Sequence, residues 1–219
     1  MANPLATVRK CQAIAGAVFS IFLLMHFSNI LLANVGEQAF NDWQATLRLV
    51  YQNPVLEWLL VFIPLLVHVA CGVYLIAQRK KRGGNIFNTA NTHNIAGLIL
   101  MMFIFAHISA TRGVGFWFDA PAQFSGVAFS LHWVPAYFYP YYFLFFVLAA
   151  HHLSGGLMRI FNLKQGSTFK RVRGVVTLAA AVGAAFALAS FGGHRFDTSD
   201  PWESDYAKAY MQMMGIETP

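Results

Sequence analysis

Residues 14–28 read IAGAVFSIFLLMHFS, and ILLA follows almost at once. A histidine set this deep in an apolar run needs a hydrogen-bond partner or a metal, because an imidazole in hydrocarbon keeps the cost of its lost water. His26 is therefore a functional candidate, the competing reading being a neutral imidazole bonded to a neighbouring helix. The surroundings of this stretch settle the medium. Of 219 residues, 57% are hydrophobic, 11% are charged and 21 are Phe, far from the charged quarter of an ordinary soluble domain. Crossing about 30 Å of hydrocarbon takes about 20 helical residues. Apolar runs of that order occur at 11–33, 55–78, 94–111, 136–161 and 172–192. The sequence thus predicts an all-α integral membrane protein of five transmembrane helices in a single membrane domain, 1–219, with a tail at 193–219. The first run is long and lacks a small-residue cleavage site, so it reads as a retained helix rather than a signal peptide.

Orientation follows from the basic residues, which tend to stay on the cytoplasmic side. Arg9, Lys10, Arg79, Lys80, Lys81, Arg82, Arg159, Lys164, Lys170, Arg171 and Arg173 place eleven of the fifteen Lys and Arg on one side. All nine acidic residues, Glu37 to Glu217, fall on the other. The expectation is N-in, C-out. The net charge of +6 then belongs to the inner loops and calls for no nucleic acid. Tyr137, Tyr139, Tyr141 and Tyr142 read as an interfacial belt. Cys11 and Cys71 are far apart and lack CxxC spacing, so neither a disulfide framework nor an iron–sulfur site is expected. No phosphate-binding glycine loop is found.

His26 has an echo. Residues 95–109 read IAGLILMMFIFAHIS, matching 14–28 at Ile, Ala, Gly, Phe, His and Ser with an offset of 81. His68 and Gly72 recur as His152 and Gly156 at an offset of 84. Helices one and two therefore resemble helices three and four in the same orientation, a parallel internal repeat. At 1.5 Å per residue, His26 and His107 share a level roughly 20–22 Å from the inner side, and His68 and His152 a level roughly 20–22 Å from the outer side. Two layers of facing histidines have the geometry of two bis-histidine haem b sites in a four-helix bundle, with the fifth helix outside it. Gly16, Gly72, Gly97, Gly155 and Gly156 would let a porphyrin lie against the backbone, or serve close helix packing. A proton relay would want deep carboxylates, and zinc would want Cys or carboxylate partners at one level. The pattern supplies neither.

On these residues the chain resembles the dihaem cytochrome b membrane-anchor subunit of the succinate dehydrogenase and fumarate reductase (succinate:quinone oxidoreductase) family, of the kind with one five-helix anchor. The resemblance is carried by QAIAGAVFSIFLLMHFSNILL, LLVHVACGVYLIAQRK, IAGLILMMFIFAH and FVLAAHHLSGGLMRI. It implies that His26 and His107 bind an outer haem and His68 and His152 an inner one. It also implies a quinone or quinol substrate, with FAD and iron–sulfur clusters only on partner subunits at the inner side. Basic loops 79–92 and 159–173 would dock the iron–sulfur subunit. The implied location is the cell inner (cytoplasmic) membrane in preference to the mitochondrial one. Ala150 stands where some dihaem members carry a Glu on a proton path, which leaves such coupling unsupported.

Neighbours on a helix point about 100° apart, so only one of His151 and His152 can face a porphyrin. His152 is the expected ligand, through its HxxxG match to His68 and the basic Arg159 seven residues on, as in the family. His151 is expected to face a neighbouring helix or a haem propionate, with His93 the propionate candidate for the inner haem and Arg112 for the outer. His132 and His194 read as solvated or interfacial. A quinone pocket needs a few polar groups able to handle protons, and Glu57, Trp58, Trp43 and Asp42 are the candidates. Two rival readings are a free-standing cytochrome resembling the b561 type and a haem-poor structural anchor of a respiratory complex.

Overall fold

The computed structural model describes residues 3–85, 92–163 and 166–216, and every regular element within them is a helix. Five helices are long and apolar enough to cross a membrane: Pro4–Leu32, Pro54–Lys81, Thr92–Phe118, Pro135–Ile160 and Ser167–Phe191. The chain is an all-helical, multi-pass membrane protein. Several helices outrun the expected spans by a turn or two, the third as far as Phe118. The apolar run measures hydrocarbon thickness, whereas a helix keeps its backbone bonds into the polar layer. Lys164, residues 86–91 of the first basic loop and Glu217 lie outside the described residues.

Local chemistry sets the helix ends. Asn53 caps the second span, its side-chain oxygen accepting from the N–H groups of Val55 and Leu56 at 3.1 and 3.3 Å, and Pro54 takes the first turn, where a missing N–H costs nothing. The same span widens to a π-turn at Trp58–Phe62 just before the buried Pro64. Proline has no N–H to give and crowds the preceding turn, which accounts for the widening. The third span widens at Ser109–Gly113 and stops at Asp119, in the left-handed region at φ 52°.

Residues 34–54 and 113–135, which lie between the expected spans, and the tail hold helices of their own. These are Glu37–Tyr51, Phe124–Trp133 and Asp205–Met214. None carries a run of spanning length, so hydropathy alone passes over them.

Contacts gather the chain into two units. The first comprises Met1–Phe27, Thr46–Met101 and Leu148–Leu178, and the second Ser28–Ala45, Met102–Val147 and Ala179–Pro219. The second unit packs Phe40, Phe124, Leu131 and Phe191 into one core, and Val114, Phe129, Tyr206 and Met211 into another. In this second core the tail is tied down. Ser204 caps the last helix by accepting from the Ala207 N–H. Tyr206, 5% exposed, donates its hydroxyl to the Ala110 carbonyl at 2.8 Å, inside the widened turn of the third span. Burial pushes the Tyr206 phenol above its ordinary range, so it stays a donor. Tyr206→Phe leaves that carbonyl without its partner, and we expect a loss of about 1 kcal/mol. In detergent this should read as a melting temperature lower by roughly 2–4 °C.

Candidate functional site

The first unit brings His68 and His152 together. Their ring centroids are 5.9 Å apart and their planes stand at 87°. Each ring is held from behind by a backbone carbonyl: His68 Nδ1–H donates to the Gln12 carbonyl at 3.0 Å, and His152 Nδ1–H to the His93 carbonyl at 2.9 Å. These bonds leave Nε2 as the nitrogen each has to offer. Both rings also fit against a glycine. A Cβ on Gly16 would stand 2.7 Å from His68 Nδ1, and one on Gly97 2.9 Å from His152 Cε1. The receiving residues Gln12 and Gly16 recur 81 positions on as His93 and Gly97, while the histidines are 84 apart. A third pair follows the same offsets, since Gly72 faces Gln12 and Gly156 faces His93. Glycines expected to receive a porphyrin thus receive side chains, mostly imidazoles.

His151 points elsewhere. Its Nδ1 lies 2.9 Å from Thr177 Oγ1 and its Nε2 3.1 Å from Thr92 Oγ1. Thr177 donates its hydroxyl to the Arg173 carbonyl, and Arg173 Nη2 donates to Thr92. The network therefore assigns Nδ1–H of His151 as donor to Thr177 and its Nε2 as acceptor from Thr92. Both nitrogens are engaged.

His93, expected at a propionate, stacks face to face on His152 with centroids 4.0 Å apart. Its Nδ1 is buried with no hydrogen-bond partner among the described residues, as is Arg159 Nε. Gly155 opens the space: a Cβ there would lie 3.2 Å from His93 Nδ1 and 3.4 Å from Arg173 Cδ. Of the chain's acidic residues only Glu57 belongs to this unit. Half-buried cations and a buried ring nitrogen thus gather with no carboxylate of the unit beside them, since Glu57 sits near the far end of its span.

His26, also in the first unit, stacks on Phe22 at 5.6 Å, and Phe22 meets Tyr51 edge-on at 5.2 Å. Burial pushes the Tyr51 phenol up, against the pull of Arg48, which hydrogen-bonds it, and with a smaller push from Glu57. Glu57 itself is 8% exposed, whereas Trp58 is 55% exposed. Tyr51, which ties Phe22 and Arg48 to the surroundings of the candidate Glu57, was not legible in this role, because nothing in the linear order joins 22 to 51.

The second unit holds His107, whose ring meets Phe145 at 5.0 Å and whose carbonyl accepts from the Thr111 hydroxyl at 2.7 Å. Arg112 is partly buried in the widened turn. Trp43 donates its indole N–H to Ser28 Oγ at 2.9 Å. Asp42 is exposed and lines a groove with Glu37, Asn41 and Asp197. The four quinone candidates therefore divide, Glu57 and Trp58 in the first unit and Trp43 and Asp42 in the second. His132 and His194 are exposed, the first bonded to the Ala128 carbonyl and the second to the Tyr139 hydroxyl.

Among the described residues no three of His, Cys, Asp and Glu converge in a way that could hold a metal ion; what converges is a pair of imidazoles. Fold and site together define a polytopic helical membrane protein with a histidine pair anchored between its spans. Over 109 residues, 48% of the chain, it is 27% identical to the succinate dehydrogenase cytochrome b558 subunit of Bacillus subtilis (strain 168). The match spans about half of that relative's length, 54%. This weak similarity supports kinship with the cytochrome b subunits of succinate dehydrogenase. No family profile and no solved structure matches the chain.

Proposed function

We propose that this chain is the haem b-containing membrane anchor and quinone-reactive subunit of a succinate:quinone or quinol:fumarate oxidoreductase, working between an iron–sulfur partner and membrane quinone. The observation that carries the proposal is the His68–His152 pair. Metal–imidazole bonds are about 2 Å and each ring centre lies about 1 Å beyond its nitrogen, so imidazoles on either side of one iron have centroids about 6 Å apart. The 5.9 Å separation fits. The carbonyls of Gln12 and His93 act as the outer partners that fix the tautomer and raise ligand basicity. His151, with both nitrogens engaged, has none to give, which supports His152 as the ligand.

Bound between such imidazoles, a low-spin haem supplies one-electron transfer. The chain's residues do the rest. His93, Arg159 and Arg173 form a cationic pocket suited to the propionates, since a buried donor without a partner favours an anion brought from outside. The second haem is assigned to His26 and His107 from the sequence alone, with Arg112 near His107 for its propionates. Glu57, with Tyr51 and Arg48 beside it, is the group we assign to accept protons as quinol gives up two electrons and two protons. Trp58, in the same unit, stays a candidate for the quinone site beside it. The exposed Lys80, Lys81, Arg82, Lys170 and Arg171 suit docking of the iron–sulfur subunit, with the flavoprotein subunit beyond it. On the orientation expected from charge, that side is cytoplasmic and the membrane is the cell's inner one.

The reduced protein is expected to show a low-spin haem b spectrum with about two haems per chain, counted as pyridine haemochrome. A count near zero ends the proposal, and a count near one removes one histidine layer. Two haems on a chain purified without flavin or iron–sulfur subunits would favour the free-standing cytochrome instead.

A further inference from the structure

In the second unit the His107 ring begins a series of ring contacts that ends at the surface. It meets Phe145 at 5.0 Å, Phe145 stacks on Tyr141 at 5.8 Å with planes 24° apart, and Tyr141 stacks on Tyr137 at 5.6 Å with planes 11° apart. These are rings in direct contact. Tyr137, Tyr141 and Phe145 recur every fourth residue of one helix, so they form a column on one of its faces. Tyr137 is 56% exposed, and Tyr141, one turn deeper in the span, is half-buried. An interfacial anchor needs each tyrosine at the surface on its own account; it does not need them stacked in series toward a histidine.

Tyr141 stands at a fork, since it also meets Tyr142 at 5.0 Å with planes at 59°. The two branches differ in where a proton can go. Tyr142 donates its hydroxyl to Ser130 Oγ at 3.2 Å, and Ser130 donates to the Gly126 carbonyl at 3.0 Å. That chain ends on a carbonyl, which does not take up a proton. The exposed Tyr137 hydroxyl exchanges protons with water. A phenol sheds its proton as it is oxidised, because a cation without solvent is costly, so an oxidised ring comes to rest at Tyr137.

We propose that Tyr141 and Tyr137 form a radical-scavenging relay whose substrates are lipid peroxyl radicals and whose outlet is the exposed Tyr137 hydroxyl. The peroxyl radical takes the hydrogen atom of the Tyr141 O–H; that bond breaks, a hydroperoxide O–H forms, and a tyrosyl radical remains. Tyr141 recovers a hydrogen atom, one electron and one proton together, from the Tyr137 O–H. Tyr137 recovers its own from a water-soluble reductant of the enediol or thiol class. The sum is one peroxyl radical reduced to hydroperoxide and one reductant oxidised by one electron, with both tyrosines restored. Phe145 carries no hydroxyl and is far harder to oxidise than a phenol, so it separates the relay from His107. Protection of a metal ligand at His107 rests on the haem reading above, whereas the relay does not.

The full chain in liposomes of polyunsaturated phosphatidylcholine, with a lipid-soluble azo initiator as the source of peroxyl radicals, is the sample to use. A water-soluble nitroso spin trap, its adducts mapped by peptide mass spectrometry, should mark Tyr137 above the other tyrosines. Tyr141→Phe should lower the Tyr137 adduct several-fold, while Tyr142→Phe leaves it unchanged; both substitutions keep the ring and its packing. In Tyr137→Phe the tyrosyl signal in electron paramagnetic resonance should decay several-fold more slowly after ascorbate is added. An undiminished Tyr137 adduct in Tyr141→Phe would mean direct attack at the surface and overturn the relay. Equal loss in Tyr142→Phe, or an unchanged decay in Tyr137→Phe, overturns it too. A haemochrome count near zero counts against the haem reading alone, and the trap still decides the relay.

Discussion

His152→Ala is expected to eliminate one of the two haems, together with quinone-linked turnover, while His151→Ala retains both. His152 has Nδ1 tied to the His93 carbonyl at 2.9 Å and stands 5.9 Å from His68, leaving Nε2 for iron. Without His152 only His68 of this pair would be left to hold the metal, and the remaining cationic pocket would bind carboxylates without fixing a porphyrin's face. His151 instead bridges Thr177 and Thr92, so its loss should cost about 1–2 kcal/mol of helix contact and at most shift a potential. Redox titration of the two variants against the native complex decides between them. A haem wave missing from the His151 variant and normal in the His152 variant would reverse the assignment. Enlarging the floor of the site should mimic the loss: in Gly97→Val the new side chain would begin 2.9 Å from His152 Cε1 and push the ring off its carbonyl.

The second large effect is at the other level. His107→Ala should abolish the second haem and leave the first, because the His107 ring meets Phe145, whereas those of His68 and His152 are held by the Gln12 and His93 carbonyls. Haemochrome should fall from about two to about one per chain, and titration should retain the wave that His152→Ala removes. Both haems lost at normal protein levels would show that the levels are paired wrongly. Both retained would take His107 out of the ligand set.

The reading of the medium was legible from composition, since a chain that is 57% hydrophobic and 11% charged cannot dissolve its surface in water. Span number and approximate position followed from hydrocarbon thickness, a one-dimensional constraint that a one-dimensional string can report. The correspondence of Gly16 with Gly97 and of His68 with His152 was legible too, at offsets of 81 and 84, because like residues recurring in order along two pairs of apolar runs are visible in a string. What the string could not carry was anything set by how helices face one another. The short helices Glu37–Tyr51 and Asp205–Met214 hide because their apolar residues are spaced for one face rather than run together. Tyr51 meets Phe22, and His151 meets Thr92 and Thr177, through contacts between elements many residues apart. The choice within the His151–His152 pair turns on the same distinction. Sequence placed both imidazoles on one span, one after the other, and their roughly 100° of helical rotation demanded that they differ. Only the packed helices decided how: one ring met two threonine hydroxyls that saturate it, and the other met a carbonyl that holds one nitrogen and leaves the second free.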